Sequence, residues 1–141
     1  MRLAAAALAL ISLTLPAHAG LKAKFIDGTY VFTSDGCAKL KALAAGGNQS
    51  ISTVPWYVTA DGISYWEGGC GFMKIKAGKK NHWKVTASCT EEIDESIESY
   101  TYLRTSPTTF SVTLTTPGAS AEDRKPVTYT RCNVGPIPEP Q

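Results

Sequence analysis

The sequence contains little histidine, the side chain that most often transfers protons in enzymes at neutral pH. Its 141 residues include two histidines, His18 and His82. His18 falls in an N-terminal segment that we expect to be removed, and His82 follows a lysine-rich turn, which predicts a solvated strand end. A Ser-His-Asp or Cys-His mechanism would depend on His82 alone. The sequence also has no P-loop, no HExxH helix and no acidic calcium loop. We therefore expect a protein that is not an enzyme and that needs no cofactor.

The sequence also has no strong excess of charge of either sign. It contains 14 basic and 12 acidic residues, a formal net charge of +2. A nearly neutral chain does not steer the whole molecule towards nucleic acid or an anionic membrane. We predict no nucleic-acid partner, and any anion-binding role would have to come from a local patch.

No CxxC pair occurs among the four cysteines, which argues against a zinc site or a redox site. An even number of cysteines in an exported chain is typical of disulfides, because an oxidising compartment forms and keeps them. We therefore expect two disulfides and no metal. The cysteines are Cys37, Cys70, Cys89 and Cys132.

Long hydrophobic runs are absent except at 3–15, which follows Arg2 and precedes an Ala-His-Ala ending at Ala19. This run is too short to span a bilayer, and the small residues after it fit a signal-peptide cleavage site. We expect a periplasmic or secreted protein with no membrane span. The predicted organisation is a secretory signal peptide at 1–19, one β-barrel domain at 20–132 and a Pro-rich flexible tail at 133–141.

Most of the remaining chain has strand patterns. Phe110, Val112 and Leu114 alternate with polar residues, and Asp61-Gly62 is a strong hairpin signal because both residues tolerate positive φ. The spacing of Leu40 and Leu43 instead predicts a helix over 37–45. Turn signals about every ten residues indicate an all-β fold, namely a small antiparallel up-and-down β-barrel of seven or eight strands with one short N-terminal helix; a β-sandwich is the alternative. Strands are expected at 28–33, 51–54, 56–60, 63–67, 99–103, 108–115 and 127–131, and on both sides of the turn at 78–81.

Two of the cysteines flank one predicted hairpin. A two-residue turn at Lys79 and Lys80 places Cys70 opposite Cys89 in the neighbouring strand. We favour a Cys70–Cys89 disulfide, and with it Cys37–Cys132, although four cysteines allow two other connectivities.

The same hairpin contains a conflict of register. The turn that pairs the cysteines places Ile75 opposite Lys84, whereas apolar alternation predicts Ile75 and Val85 on one buried face. One extra residue in a strand reverses its facing, and we expect such a bulge at 68–71, where glycines tolerate it. The predicted buried residues are Met73, Ile75, Ala77, Trp83, Val85 and Ala87.

Three features resemble the closing arrangement of lipocalin-type barrels: Gly28-x-Tyr30 in the first strand, Arg131 in the last strand and a single short helix. Tyr30 stands where that family has Trp, the helix lies early and the chain is shorter than most lipocalins. The resemblance implies a small barrel rather than one with a spacious ligand cavity.

A candidate binding face combines aromatic and charged residues at predicted loops, which are typical interface anchors. Its members are Tyr65, Trp66, Glu67, Lys79 and Lys80. Glu67 follows two aromatic residues, but glycoside cleavage requires a second carboxylate at a defined distance.

Two charged stretches complete the candidate features. The lysines at 74–84, interleaved with Phe72 and Trp83, could form a basic aromatic strip, although such a hairpin is also a common protection against edge pairing. We interpret the acidic run at 91–98 as a solvated face that balances those lysines.

The favoured function is an exported, monomeric binding protein with a protein partner in the envelope or outside the cell. Small periplasmic barrels include inhibitors of proteases and of lysozyme, which makes an inhibitor the concrete form of this hypothesis, by analogy of fold alone. The alternatives are a lipocalin-like carrier of a small hydrophobic ligand and a glycoside hydrolase that uses Glu67.

Overall fold

The computed structural model describes residues 20–137 as one closed barrel of eight antiparallel strands with one helix. The predicted signal peptide at 1–19 and the last four residues of the predicted tail lie outside the described residues. No helix of the described part is long and apolar enough to cross a membrane. The elements in chain order are β1 (Thr29–Val31), α1 (Gly36–Ala44), β2 (Tyr57–Thr59), β3 (Gly62–Tyr65), β4 (Gly68–Ala77), β5 (His82–Glu91), β6 (Asp94–Ser106), β7 (Thr109–Leu114) and β8 (Val127–Cys132).

The strands follow one another round the barrel in sequence order, and β8 pairs with β1 to close it. The predicted all-β, up-and-down barrel is confirmed, and the sandwich alternative is not the architecture. Closure pairs both edges of every described strand, so short strands such as β1 and β2 are hydrogen-bonded on both sides. This topology is compatible with a small calycin-like barrel.

The predicted helix forms and packs on the outside of the barrel. Leu40 and Leu43 are buried against Val31 of β1. A disulfide between Cys37 and Cys132 joins this helix to β8, and the Cys70–Cys89 disulfide joins β4 to β5. The structure thus contains both favoured pairs. Val134 and Ile137, from the start of the predicted flexible tail, pack against the same cluster.

Aromatic side chains fill the middle of the barrel. Tyr30, Phe72, Tyr102 and Phe110 are each about 1% exposed. Phe110 makes edge-to-face contacts with Tyr30 and Tyr102, at centroid distances of 4.9 and 6.0 Å. Such contacts add to the free energy gained from burial, so these rings define the core on which the site is built.

The β4–β5 ladder contains the expected bulge, but at a different residue. Cys70 pairs with Cys89 and Phe72 with Ala87, and the register then shifts at Met73 so that Ile75 pairs with Val85. The prediction of a bulge at 68–71 is therefore wrong in position. It followed from placing Met73 in the core, whereas Met73 is 54% exposed and Phe72 is buried.

The short strand predicted at 51–54 is also wrong, because this segment forms turns. The Thr53 hydroxyl accepts a hydrogen bond from the Ser50 backbone N–H and donates one to the Asn48 carbonyl, both at 2.8 Å. Serine and threonine side chains compete in this way with strand pairing, which explains why β-branched residues here do not extend.

The residues that carry the family resemblance meet where the barrel closes. Tyr30 of β1 pairs with Arg131 of β8. A Cβ at Gly28 would lie 2.8 Å from Arg131 Nε, so glycine leaves room for the arginine side chain in its present position. Asp27 accepts a hydrogen bond of 2.5 Å from the Tyr30 hydroxyl and forms ion pairs with Arg104 and Arg131.

Candidate functional site

The two ends of the barrel differ in charge. The turns between β3 and β4 and between β5 and β6 lie at one end, which we call the acidic end because it carries Glu67, Glu91, Glu92 and Asp94. The turn between β4 and β5 lies at the other, which we call the basic end because it carries Lys79 and Lys80.

The structure separates the predicted binding residues. Tyr65, Trp66 and Glu67 lie at the acidic end, whereas Lys79 and Lys80 lie at the basic end. Ten residues of β4 connect the two turns, a distance of about 30 Å at the rise of an extended strand. The five residues do not form one patch, and their role in binding stays a prediction.

Residues 20–28, which precede β1, cover the basic end. Phe25 stacks on Trp83 at a centroid distance of 4.4 Å and contacts Phe110 edge to face. Arg104 lies 4.3 Å above the Phe110 ring and donates a 2.5 Å hydrogen bond to the Phe25 carbonyl. These contacts fix the segment over the barrel interior at this end.

Aromatic rings surround the acidic end, partly exposed. Trp56 stacks on Tyr65 at a centroid distance of 4.3 Å and an angle of 19°, yet Trp56 is 46% exposed. Phe32 is 41% exposed and lies 5.5 Å from Tyr129. We call Phe32, Trp56, Tyr65 and Tyr129 the aromatic rim. The two outer rings, Phe32 and Trp56, pack on Tyr129 and Tyr65 and still face solvent.

The turn between β3 and β4 packs closely against Tyr65 of the aromatic rim. Trp66 and Glu67 connect the pair Tyr65 and Gly68, and exposed Glu67 has a left-handed φ of 59°. A Cβ at Gly68 would lie 2.3 Å from the Tyr65 ring, so the close approach of this ring requires glycine at 68.

The acidic end also contains Glu98, a half-buried carboxylate that the sequence analysis did not single out. Glu98 accepts a hydrogen bond from the Tyr100 hydroxyl. Its carboxylate and the sulfurs of Cys70 and Cys89 all lie within 4.8 Å of one another. Because both cysteines are joined in a disulfide, these three residues do not offer the thiolates that a metal site needs.

The tyrosines near Glu98 favour their neutral form. Burial is the main cause that raises the pKa of Tyr100, and the hydrogen bond to Glu98 raises it further. Burial, with the nearby charges of Glu91 and Glu98, raises the pKa of Tyr65. Burial alone raises the pKa of Tyr129 to about 12. The interior of the acidic end is thus a set of neutral phenols beside one carboxylate.

A strand pattern could have identified Glu98. It alternates with Tyr100 and Tyr102 at a spacing of two, so all three face the same side of β6. The interpretation of 91–98 as a solvated face holds for Glu91, Glu92, Asp94 and Glu95, which are exposed, but not for Glu98. Among the described residues, no ion pair joins this run to the lysines of the β4–β5 hairpin.

The basic strip lacks its predicted aromatic part. Phe72 and Trp83 belong to the barrel core, whereas Lys74, Lys76 and Lys84 are exposed on the outer face. These three lysines line a surface groove of about 200 Å³. Alternation along β5 separates Trp83 from Lys84, whereas on β4 the bulge at Met73 puts Phe72 and Lys74 on opposite faces.

Comparison with known proteins finds no matching family model, curated protein or solved structure.

Proposed function

We propose that this chain is an exported, non-enzymatic binding protein that docks a basic protein partner on the aromatic rim. The observation that carries the proposal is Trp56, which remains 46% exposed although it is stacked on Tyr65. A rigid aromatic side chain loses little conformational entropy when a partner covers it, and buried aromatic anchors supply much of the energy of protein interfaces.

The charge of the surrounding turns supports a basic partner. Glu67, Glu91, Glu92 and Asp94 are exposed beside the rim. Complementary charge speeds association and selects among partners. The concrete form of the proposal is an inhibitor of a secreted or envelope enzyme, a protease or a lysozyme, whose active-site cleft is bordered by basic residues.

The disulfides and the barrel core support the other parts of the proposal, namely export and binding outside the barrel interior. Two disulfides are typical of an oxidising compartment, in keeping with a periplasmic or secreted monomer. The Tyr30–Arg131 closure supports a lipocalin-like barrel. However, side chains of Phe72, Tyr102 and Phe110 occupy the middle of this barrel, which favours docking on the rim over carriage of a ligand inside. Glu67 lies exposed at a turn, which gives little support to a hydrolase.

Calorimetric titration of the disulfide-bonded mature protein tests the proposal, with a lysozyme and a trypsin-like protease as separate partners. We expect one of them to bind with 1:1 stoichiometry. Trp56→Ala should weaken that binding about tenfold or more, since it removes a central anchor. Met73→Ala is the matched control, because Met73 is 54% exposed, close to the value for Trp56, but lies on the β4 bulge, away from the rim.

Two results would contradict the proposal. The first is that neither enzyme binds the wild-type protein. The second is that Trp56→Ala and Met73→Ala bind the enzyme equally well, which would place the interface elsewhere.

A further inference from the structure

The outer face of the β4–β5–β6 sheet carries two parallel rows of basic and hydroxyl side chains. In the first row, Lys74 pairs with Thr86 and Thr86 with Ser99. In the second, Lys76 pairs with Lys84 and Lys84 with Thr101. The two rows are one strand repeat apart, about 7 Å. The surface groove of about 200 Å³ lies across them.

The positive charges of the three groove lysines are not paired with carboxylates in the described part of the chain. Lys76 and Lys84 are directly opposite each other, an arrangement that destabilises a strand pair when the charges are alike. No ion pair in the described part of the chain involves Lys74, Lys76 or Lys84. An anion bound between the lysines would relieve this repulsion.

Because the groove is exposed to solvent, it favours a ligand that carries several charges. All three lysines are exposed to solvent, where salt screens a single ion pair and leaves it weak. Useful affinity on such a face requires several contacts made at once by one connected ligand.

The other side chains of the groove indicate the class of that ligand. Thr86, Ser99 and Thr115 supply hydroxyl groups, which form hydrogen bonds with sugar hydroxyls. Phe72 and Trp83, the aromatic residues of the same hairpin, pack in the barrel core, and the Tyr100 hydroxyl is bonded to Glu98 inside the barrel. The described part of this face therefore offers no row of exposed rings of the kind that single-stranded nucleic acid uses. The described lining of the groove consists mainly of lysine and hydroxyl side chains, with Val85 and Tyr100 as its other members.

We infer that this groove binds the sulfate or phosphate groups of an anionic polysaccharide. Lys74, Lys76 and Lys84 neutralise the oxyanions, and the threonine and serine hydroxyls contact the sugar. The site lies on the side of the barrel rather than on the aromatic rim. It is therefore independent of the proposed protein partner, and either proposal can fail alone.

The test measures binding of the mature protein to dextran sulfate and to dextran phosphate, with neutral dextran of the same length as a control. Lys74→Gln, Lys76→Gln and Lys84→Gln are combined in a groove variant. A control variant combines Lys22→Gln, Lys24→Gln and Lys125→Gln, which removes the same charge from exposed positions outside the groove. Oligothymidylate of equal charge serves as the nucleic-acid probe.

We expect at least one charged dextran to bind the wild-type protein and the control variant, and neutral dextran not to bind. The groove variant should lose about tenfold or more in affinity, a difference of about 1.4 kcal/mol. The inference is overturned if neither charged dextran binds, if both variants lose affinity equally, or if oligothymidylate binds more tightly than the charged dextrans.

Discussion

The Tyr100 hydroxyl donates a hydrogen bond to the Glu98 carboxylate inside the barrel, next to the Cys70–Cys89 disulfide. Both residues face inward because they are two positions apart on β6. Burial raises the pKa of the Tyr100 phenol, so this donor keeps its proton over the physiological pH range. This hydrogen bond links the acidic end to the barrel core, and its contribution to the free energy of unfolding can be measured.

A double-mutant cycle with Glu98→Ala and Tyr100→Phe should give a coupling free energy of about 1.5 kcal/mol. This value is the lower end of the usual range for a hydrogen bond to a charged group. The measurement is the free energy of unfolding in urea for the four proteins at pH 7. Additive effects of the two substitutions would show that the bond does not contribute to stability.

The Tyr102 hydroxyl is buried and has no hydrogen-bond partner among the described residues. Tyr102→Phe should therefore raise the free energy of unfolding by about 1 kcal/mol, because it removes an uncompensated desolvation cost. Tyr30→Phe is the matched control. Tyr30 is equally buried but donates to Asp27, so its substitution should lower stability by about 1 kcal/mol. Urea unfolding that shows the same sign for both variants would contradict this prediction.

Met73 lies at the position where the β4–β5 register shifts. Deletion of Met73 should convert this pair into a regular ladder and keep both Cys70 and Ile75 facing inward. Deletion of Gly71 should instead move Phe72 to the outer face and Met73 to the inner one, at a cost of about 2 kcal/mol. Urea unfolding of the two disulfide-bonded variants compares them. Equal destabilisation would show that the bulge itself is needed for the barrel.

Stability should fall at alkaline pH. Burial raises the pKa of Tyr129 to about 12, whereas an unfolded tyrosine titrates near 10. The folded state therefore holds this proton more tightly, and its contribution is complete below pH 10 and is lost as the pH rises towards 12. One such group changes the free energy of unfolding by about 1.4 kcal/mol per pH unit in this window.

Tyr129→Phe should make that decline less steep. Urea unfolding at pH 8, 10 and 11 measures it, and both proteins contain the same lysines, so the titration of the lysines cancels in the comparison. Identical pH dependence for the wild type and the variant would contradict the assignment of this contribution to Tyr129.

Local sequence signals predicted the elements that local physics controls. The Asp61-Gly62 signal correctly predicted a hairpin of β2 and β3, although the turn lies one residue earlier, at 60–61, because Gly62 pairs with Thr59. The spacing of Leu40 and Leu43 predicted α1. These predictions needed only the preferences of residues a few positions apart. At 51–54 the same approach was wrong, because side-chain hydrogen bonds of Ser50 and Thr53 compete with strand pairing.

The candidate site was predicted less well. The sequence pointed to Tyr65, Trp66 and Glu67, but it grouped them with Lys79 and Lys80, which lie at the other end of β4. Phe32 and Trp56 are not adjacent in sequence to the other rim residues. They join Tyr65 and Tyr129 only because β1 pairs with both β2 and β8.

The sequence by itself determined the all-β class, the short helix and the need for two disulfides, since alternation, turn residues and cysteine number act locally or on the whole composition. Only the tertiary structure decided which side of β4 is buried, because a single bulge reverses the facing of every later residue. The pairing register of β4, β5 and β6 likewise decided which charges share a surface. It placed the lysines of β4 and β5 beside the hydroxyl groups of β6 and separated them from the acidic turns.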